Sequence, residues 1–233
     1  MGELFDRLKK DLHYVEGMQA CINCGTCTAI CPAAEHYDYD PRAIVELVQR
    51  GDESELEALL KSDTIWYCGE CMSCRTRCPR NNTPGLIIMA LRALSQETGY
   101  FVESEKGRQQ IYLKRTIGHD ILKTGYCVYA EGLATTNYPE QGPIWDWRQQ
   151  HWKEIMDRLG ANYQKPGAGA MRRIPDEALN ELRAIFEVTG AMNRFEKIEN
   201  FSREKAQSLG MHWDESLDNE YVQKAYHGSH NNS

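Results

Sequence analysis

The chain has 233 residues, nine of them cysteine, and a net charge of -7 at pH 7. With a pI near 5.6 it lacks the basic face that a nucleic-acid partner calls for. Its longest strictly apolar run, residues 86–91, is far shorter than the roughly 20 residues of a membrane-spanning helix, so any membrane contact is expected to run through partner proteins.

From the N-terminus, Leu4, Phe5, Leu8, Leu12 and Val15 recur at helical spacing and predict one helix that Gly17 stops. A cysteine run follows, with Cys21, Cys24 and Cys27 three positions apart, then Cys31 and Pro32. Asp40 can cap a helix that opens with Pro41, carries Ile44, Val45, Leu47 and Val48, and ends at Gly51. A shorter helix through Leu56, Leu59 and Leu60 comes next. The cysteine spacing then repeats 47 residues on, at Cys68, Cys71, Cys74, Cys78 and Pro79. Thr83 and Pro84 open another helix, with an apolar body over residues 86–94 and Gly99 as its stop.

This spacing is the one that holds a pair of [4Fe-4S] clusters in bacterial ferredoxins. Each iron of a cubane takes a soft thiolate, and three closely spaced cysteines offer three sulfurs from one loop. The fourth sulfur comes from elsewhere. In two-cluster ferredoxins the last cysteine of each run serves the other cluster, which assigns Cys21, Cys24, Cys27 and Cys78 to one cluster and Cys68, Cys71, Cys74 and Cys31 to the second. Structural zinc favours two separate Cys-x2-Cys pairs and has no use for a third cysteine at the same step. A disulfide framework belongs to small secreted chains, and nothing near residue 1 reads as a signal peptide. Reduced thiols in this number imply a reducing, cytoplasmic setting. The 36 residues between Cys31 and Cys68 read as helical, so the fold expected is mainly α, an α-helical ferredoxin domain over residues 1–100 with a helical extension over 101–233.

In the extension, residues 104–124 predict a helix closed by Gly125, interrupted by Gly107 and Gly118. Residues 125–143 read as an extended connection, residues 145–159 as a helix and residues 165–169 as a linker. Pro175 starts a helix with Leu179, Leu182, Ile185 and Phe186 on one face, ending at Gly190. The polar residues 228–233 are expected to be disordered. Trp145, Trp147 and Trp152 read as core or as part of an interface with a partner. Cys127, between Tyr126 and Val128, reads as a buried and inert thiol.

The runs CINCGTCTAICP (residues 21–32) and TIWYCGECMSCRTRCPR (residues 64–80) resemble the C subunit of heterodisulfide reductase and its bacterial, sulfur-oxidising relatives. Arg77 to Arg80 and the pair Trp66 and Tyr67 sharpen the likeness, which covers about residues 15–130. It implies a non-catalytic electron-transfer component of a heteromeric oxidoreductase complex. Such a component relays electrons between an A subunit carrying flavin and iron-sulfur clusters and a B subunit with CCG motifs, in disulfide or sulfur-carrier redox chemistry. No CCG motif occurs here, so the disulfide is not handled on this chain. The alternative is the iron-sulfur component of another quinone-linked respiratory dehydrogenase, whose usual additional cysteine-rich domains this sequence lacks. Arg75, Arg77 and Arg80 flank the second run while the first has Asn23, Thr26 and Thr28, which predicts the higher potential for the cluster of Cys68, Cys71 and Cys74.

Overall fold

A computed structural model describes residues 2–128, 130–136 and 138–228. Residues 229–233 of the polar end lie outside the described residues. Among the described residues the chain forms helices, 3-10 turns and loops, with no strand, so the mainly α reading holds. It divides into two compact units, Met1–Ile111 together with Glu196–Ser233, and Tyr112–Phe195.

The first unit begins with α1 (Glu3–Leu8) and α2 (Leu12–Gly17), followed by the one-turn α3 (Thr26–Ala29), then α4 (Pro41–Arg50), α5 (Glu53–Leu60) and α6 (Pro84–Thr98). The long apolar α6 is the central element, in contact with α1, α2, α4 and α5. Its Ile87, Ile88 and Leu91 are buried with Phe5, Leu8, Val48, Leu56, Leu60 and Ile65. Burying each of the larger side chains contributes about 1.5–3 kcal/mol. Local sequence sets the ends as expected: the Asp40 carboxylate accepts from the backbone of Arg42 and Ala43, and Gly51 closes α4 at φ 76°. Gly99 closes α6 at φ 82°, while Thr83 occupies the N-cap of α6 without a side-chain capping bond.

The single N-terminal helix expected from residues 4–15 is two helices. Asp11 accepts from His13 N at 2.8 Å and starts a new helix, which turns Leu12 and Val15 outward at 67% and 56% exposure. Leu4, Phe5 and Leu8 keep the buried face, and Glu53 of α5 accepts from Leu4 N at 2.6 Å.

Residues 104–124 are likewise segmented into α7 (Glu105–Arg108), α8 (Gln110–Leu113), a π-helical turn at Lys114–Gly118 and α9 (His119–Thr124). A Cβ on Gly107 would lie 2.3 Å from Phe101 O, so glycine is required there by close backbone approach. The second unit continues with α10 (Pro143–Gln150), α11 (Trp152–Arg158) and α12 (Asp176–Val188). Residues 145–159 break at His151, and the segment read as a linker is a hydrogen-bonded loop. Gln164 N donates to Met171 O, Met171 N to Ala161 O and Arg173 N to Lys165 O. Helix α13 (Ala191–Ser208) leads to α14 (Glu220–His227). In the first unit Ile198, Ala206, Tyr221 and Val222 are buried, and Phe201 covers Gly99.

Candidate iron-sulfur site

The two cysteine runs share a backbone conformation as well as a spacing. Asn23 has φ 60° and Glu70, 47 residues later, φ 54°; Gly25 has φ 77° and its counterpart Met72 φ 58°. These left-handed steps curl each loop around its first sulfur. Asn23 N then donates to Cys21 Sγ and Glu70 N to Cys68 Sγ, both at 3.4 Å. A hydroxyl two residues after the second cysteine adds a matching contact, Cys24 Sγ with Thr26 Oγ1 and Cys71 Sγ with Ser73 Oγ, again both at 3.4 Å.

Long side chains from the core helices fix these loops. From α4, Gln49 accepts from Cys21 N at 2.6 Å and donates to Cys21 O at 3.3 Å. From α6, Arg92 donates to Ile65 O at 2.7 Å and Cys68 O at 2.6 Å and pairs with Glu70 at 2.5 Å. Arg42 donates to Asn23 Oδ1 at 2.5 Å while pairing with Asp40 at 2.8 Å. Asp40 also accepts from Thr28 Oγ1 at 2.5 Å, so one helix cap ties the first run to α4.

Two pockets of nearly equal size result. The first, about 360 Å³, is lined by Cys21, Cys24, Cys27 and Cys78 with Arg42, Arg80 and Asn82. The second, about 380 Å³, is lined by Cys68, Cys71, Cys74 and Cys31 with Tyr39, Met72 and Gly85. Each pocket thus gathers three thiols of one run and the last thiol of the other. Among the described residues no group of three His, Cys, Asp or Glu side chains is gathered for a single ion; a cubane does not ask for one, because each of its irons takes its own sulfur. Four thiols per pocket, with backbone N–H groups turned to Cys21, Cys68 and, from Asn82, Cys78 at 3.3 Å, fit a [4Fe-4S] group in donor chemistry.

The electrostatics differ within each run. Thr26 and Ser73 hydroxyls lower the pKa of the outward Cys24 and Cys71. Burial pushes Cys27 up to about 11 and also raises Cys74, so iron uptake at these two sulfurs must displace a proton. Helices α4 and α6 both begin at the pockets, with Pro41 and Gly85 at the second and Arg42 and Pro84 at the first. Their positive N-terminal ends face the place where an electron would add negative charge. Burial, with the Cys68 and Cys31 thiols close by, raises the Tyr39 phenol far above its ordinary value, so it stays a donor.

Some expectations change. Arg80 lines the first pocket and not the second, because Cys78 crosses to the first set of thiols and carries the following residues with it. Arg42 stands there too, and neither Arg75 nor Arg77 lines either pocket. Gly25 needs its positive φ, whereas a Cβ on Gly69 would meet nothing within 4 Å. Cys127 is exposed, not buried. Sequence reasoning missed Gln49, Arg92, Tyr39 and Asn82. Their only signal was nearness to a helix start or to the middle of a helix, which does not reveal a contact made across the fold.

Residues 17–82 match the family described as a 4Fe-4S dicluster domain. The chain is also similar to named proteins. The chain is 46% identical over 102 residues to the C subunit of the ferredoxin:CoB-CoM heterodisulfide reductase of Methanosarcina acetivorans, covering 43% of this chain and 40% of that protein. It is 27% identical over 201 residues to the iron-sulfur C subunit of the CoB-CoM heterodisulfide reductase of Methanopyrus kandleri, covering 86% and 80%. A Methanocaldococcus jannaschii protein, the second of that organism's numbered iron-sulfur C subunits of CoB-CoM heterodisulfide reductase, is 29% identical over 141 residues, covering 60% and 72%. The homologues of this chain are thus named as C subunits of heterodisulfide reductase. Because the Methanopyrus kandleri alignment runs well past the cysteine region, the length of the extension does not separate a bacterial type from a methanogen one.

Proposed function

We propose that this chain is the iron-sulfur electron-transfer component of a heterodisulfide-reductase-like complex, holding two [4Fe-4S] clusters. The observation that carries this reading is the crossed grouping of thiols, Cys21, Cys24, Cys27 and Cys78 at one pocket and Cys68, Cys71, Cys74 and Cys31 at the other. When bound, such clusters supply one-electron storage at two neighbouring stations. The chain's own residues hold and bias these stations. Asn23, Glu70 and Asn82 present N–H groups to ligand sulfur, Gln49 and Arg92 keep the loops in place, and the α4 and α6 N-termini favour added negative charge. Cys24 and Cys71 are exposed, which gives each pocket an outward edge for exchange with a partner.

The partners are then a flavin and iron-sulfur protein of the A type and a CCG-motif protein of the B type, with disulfide or sulfur-carrier chemistry on the latter, in a cytoplasmic complex that reaches a membrane only through its partners. No helix among the described residues is long and apolar enough to cross one. Within residues 101–233, Trp147, Ile185 and Val188 are exposed at 52%, 55% and 84%, and aromatic and aliphatic surface of this kind supports a role in contact with a partner. The test is anaerobic stopped-flow mixing of the dithionite-reduced chain with the purified CCG-motif partner from the same organism. Reoxidation that needs both this partner and its disulfide substrate is the expected result, and a chain that stays reduced in their presence contradicts the assignment.

A further inference from the structure

Within residues 2–111, Trp66 Nε1 and Asn82 Nδ2 are buried with no hydrogen-bond partner, and Tyr39 Oη is buried with none but the neighbouring Cys68 thiol. Two of these residues line the pockets, Tyr39 the second and Asn82 the first, and they are only 4% and 2% exposed. The amide of Asn82 has one orientation consistent with its bonds. Its Oδ1 accepts from Gln19 N at 2.7 Å, and since a backbone N–H can only donate, the NH2 group is the end left over. A buried donor needs an acceptor.

The two residues are placed by the same device. Tyr39 lies two positions before Pro41, which opens α4, and Asn82 two positions before Pro84, which opens α6. In each case the extended approach to a proline-led helix carries the side chain to a pocket wall. The rings of Tyr37 and Tyr67 stack at 4.4 Å, with Tyr39 edge-on to Tyr67 at 6.4 Å, which holds the phenol in position. Asn82 is held by its bond to Gln19 and by its own N–H on Cys78 Sγ.

We infer that Tyr39 Oη and Asn82 Nδ2 are donors reserved for cluster sulfur, one for each cluster, and that each raises the reduction potential of its own cluster only. This rests on the two-cluster reading above. A hydrogen bond to sulfur is stronger when the cluster has gained an electron, so it favours the reduced form. Tyr39→Phe deletes only the hydroxyl and leaves the ring packing. Asn82→Leu deletes the amide at similar volume.

The experiment is an EPR-monitored reductive titration of the anaerobically purified full chain and of both variants, each with iron and sulfide counted. The expected result is about a tenfold fall in the one-electron reduction equilibrium constant, 59 mV for one electron, at one midpoint in Tyr39→Phe and at the other midpoint in Asn82→Leu. Unmoved midpoints at full iron content overturn the inference, as does a shift of both midpoints in either variant. If a variant loses iron, that residue holds the site together and does not tune it, which also overturns its assignment. Should Asn82→Leu fail to fold, Asn82→Ala, which also lacks a side-chain donor, supplies that arm. A wild-type chain without about eight irons and eight sulfides would instead sink the two-cluster reading itself.

Discussion

Met72 stands in the left-handed conformation that Gly25 adopts 47 residues earlier, and only one of the two is a residue that tolerates it freely. A Cβ at position 25 would meet no atom within 4 Å, so Gly25→Ala isolates the backbone term. It is expected to destabilise by about 1 kcal/mol, a fall of about 2–4 °C in the anaerobic thermal midpoint. Met72→Gly is the opposite case, since it relieves φ but removes the thioether that fills space beside Gly85. Charge also acts at this scale. With Arg42 and Arg80 at the first pocket, Arg42→Gln combined with Arg80→Gln is expected to lower one midpoint, while Arg75→Gln with Arg77→Gln moves neither. Exposure makes these shifts small, and redox titration at low ionic strength reads them best. The gathering of the eight thiols at two pockets was legible in the sequence because short repeated spacings bring three sulfurs of one loop together. Arg80 was misplaced because proximity in sequence to Cys74 says nothing about which pocket Cys78 enters, and Cys127 was misread because flanking aromatic residues do not guarantee burial.

At the scale of elements, α4 and α6 were readable because each carries its own start and stop: Asp40 and Pro41 with Gly51, Thr83 and Pro84 with Gly99. Both ends are local decisions of the backbone. The breaks between α1 and α2 at Asp11 and between α10 and α11 at His151 were not read, since an apolar periodicity of 3.6 can continue across a break while the helix axis changes. Helix α12 was predicted well in extent, yet its apolar face is only half covered, with Leu179 and Phe186 half-buried and Ile185 exposed. Periodicity identifies a face but not what covers it. The crossing of the runs gives the sharpest prediction here. Cys78→Ala is expected to disable the same cluster as Cys24→Ala, leaving about four irons and one unchanged midpoint, while Cys31→Ala removes the other. If Cys78→Ala matches Cys71→Ala instead, each run serves its own cluster and the crossed assignment is wrong.

For the whole molecule, the first unit supplies a reason for rigidity around the pockets. One central helix, α6, presents its N-terminus and Gly85 near the thiols at one end while its body is buried among α1, α2, α4 and α5. A rigid frame limits the rearrangement that accompanies gain or loss of an electron. The unit formed by Tyr112–Phe195 has fewer buried residues among those described, and its tryptophans read from the sequence as either core or interface. Trp147, at 52% exposure and stacked on His151 at 4.6 Å, is not core. Trp147→Ala is therefore expected to leave the thermal midpoint of the isolated chain nearly unchanged while weakening co-purification with its partner proteins.

The central claim, two [4Fe-4S] clusters in neighbouring pockets, is tested most directly by anaerobic purification with iron, zinc and acid-labile sulfide analysis and EPR spectra through a reductive titration. The account predicts about eight irons and eight sulfides per chain, no stoichiometric zinc, and a fully reduced spectrum broadened by coupling between two cubanes. Zinc in place of iron, or about four irons with an uncoupled signal, would contradict it.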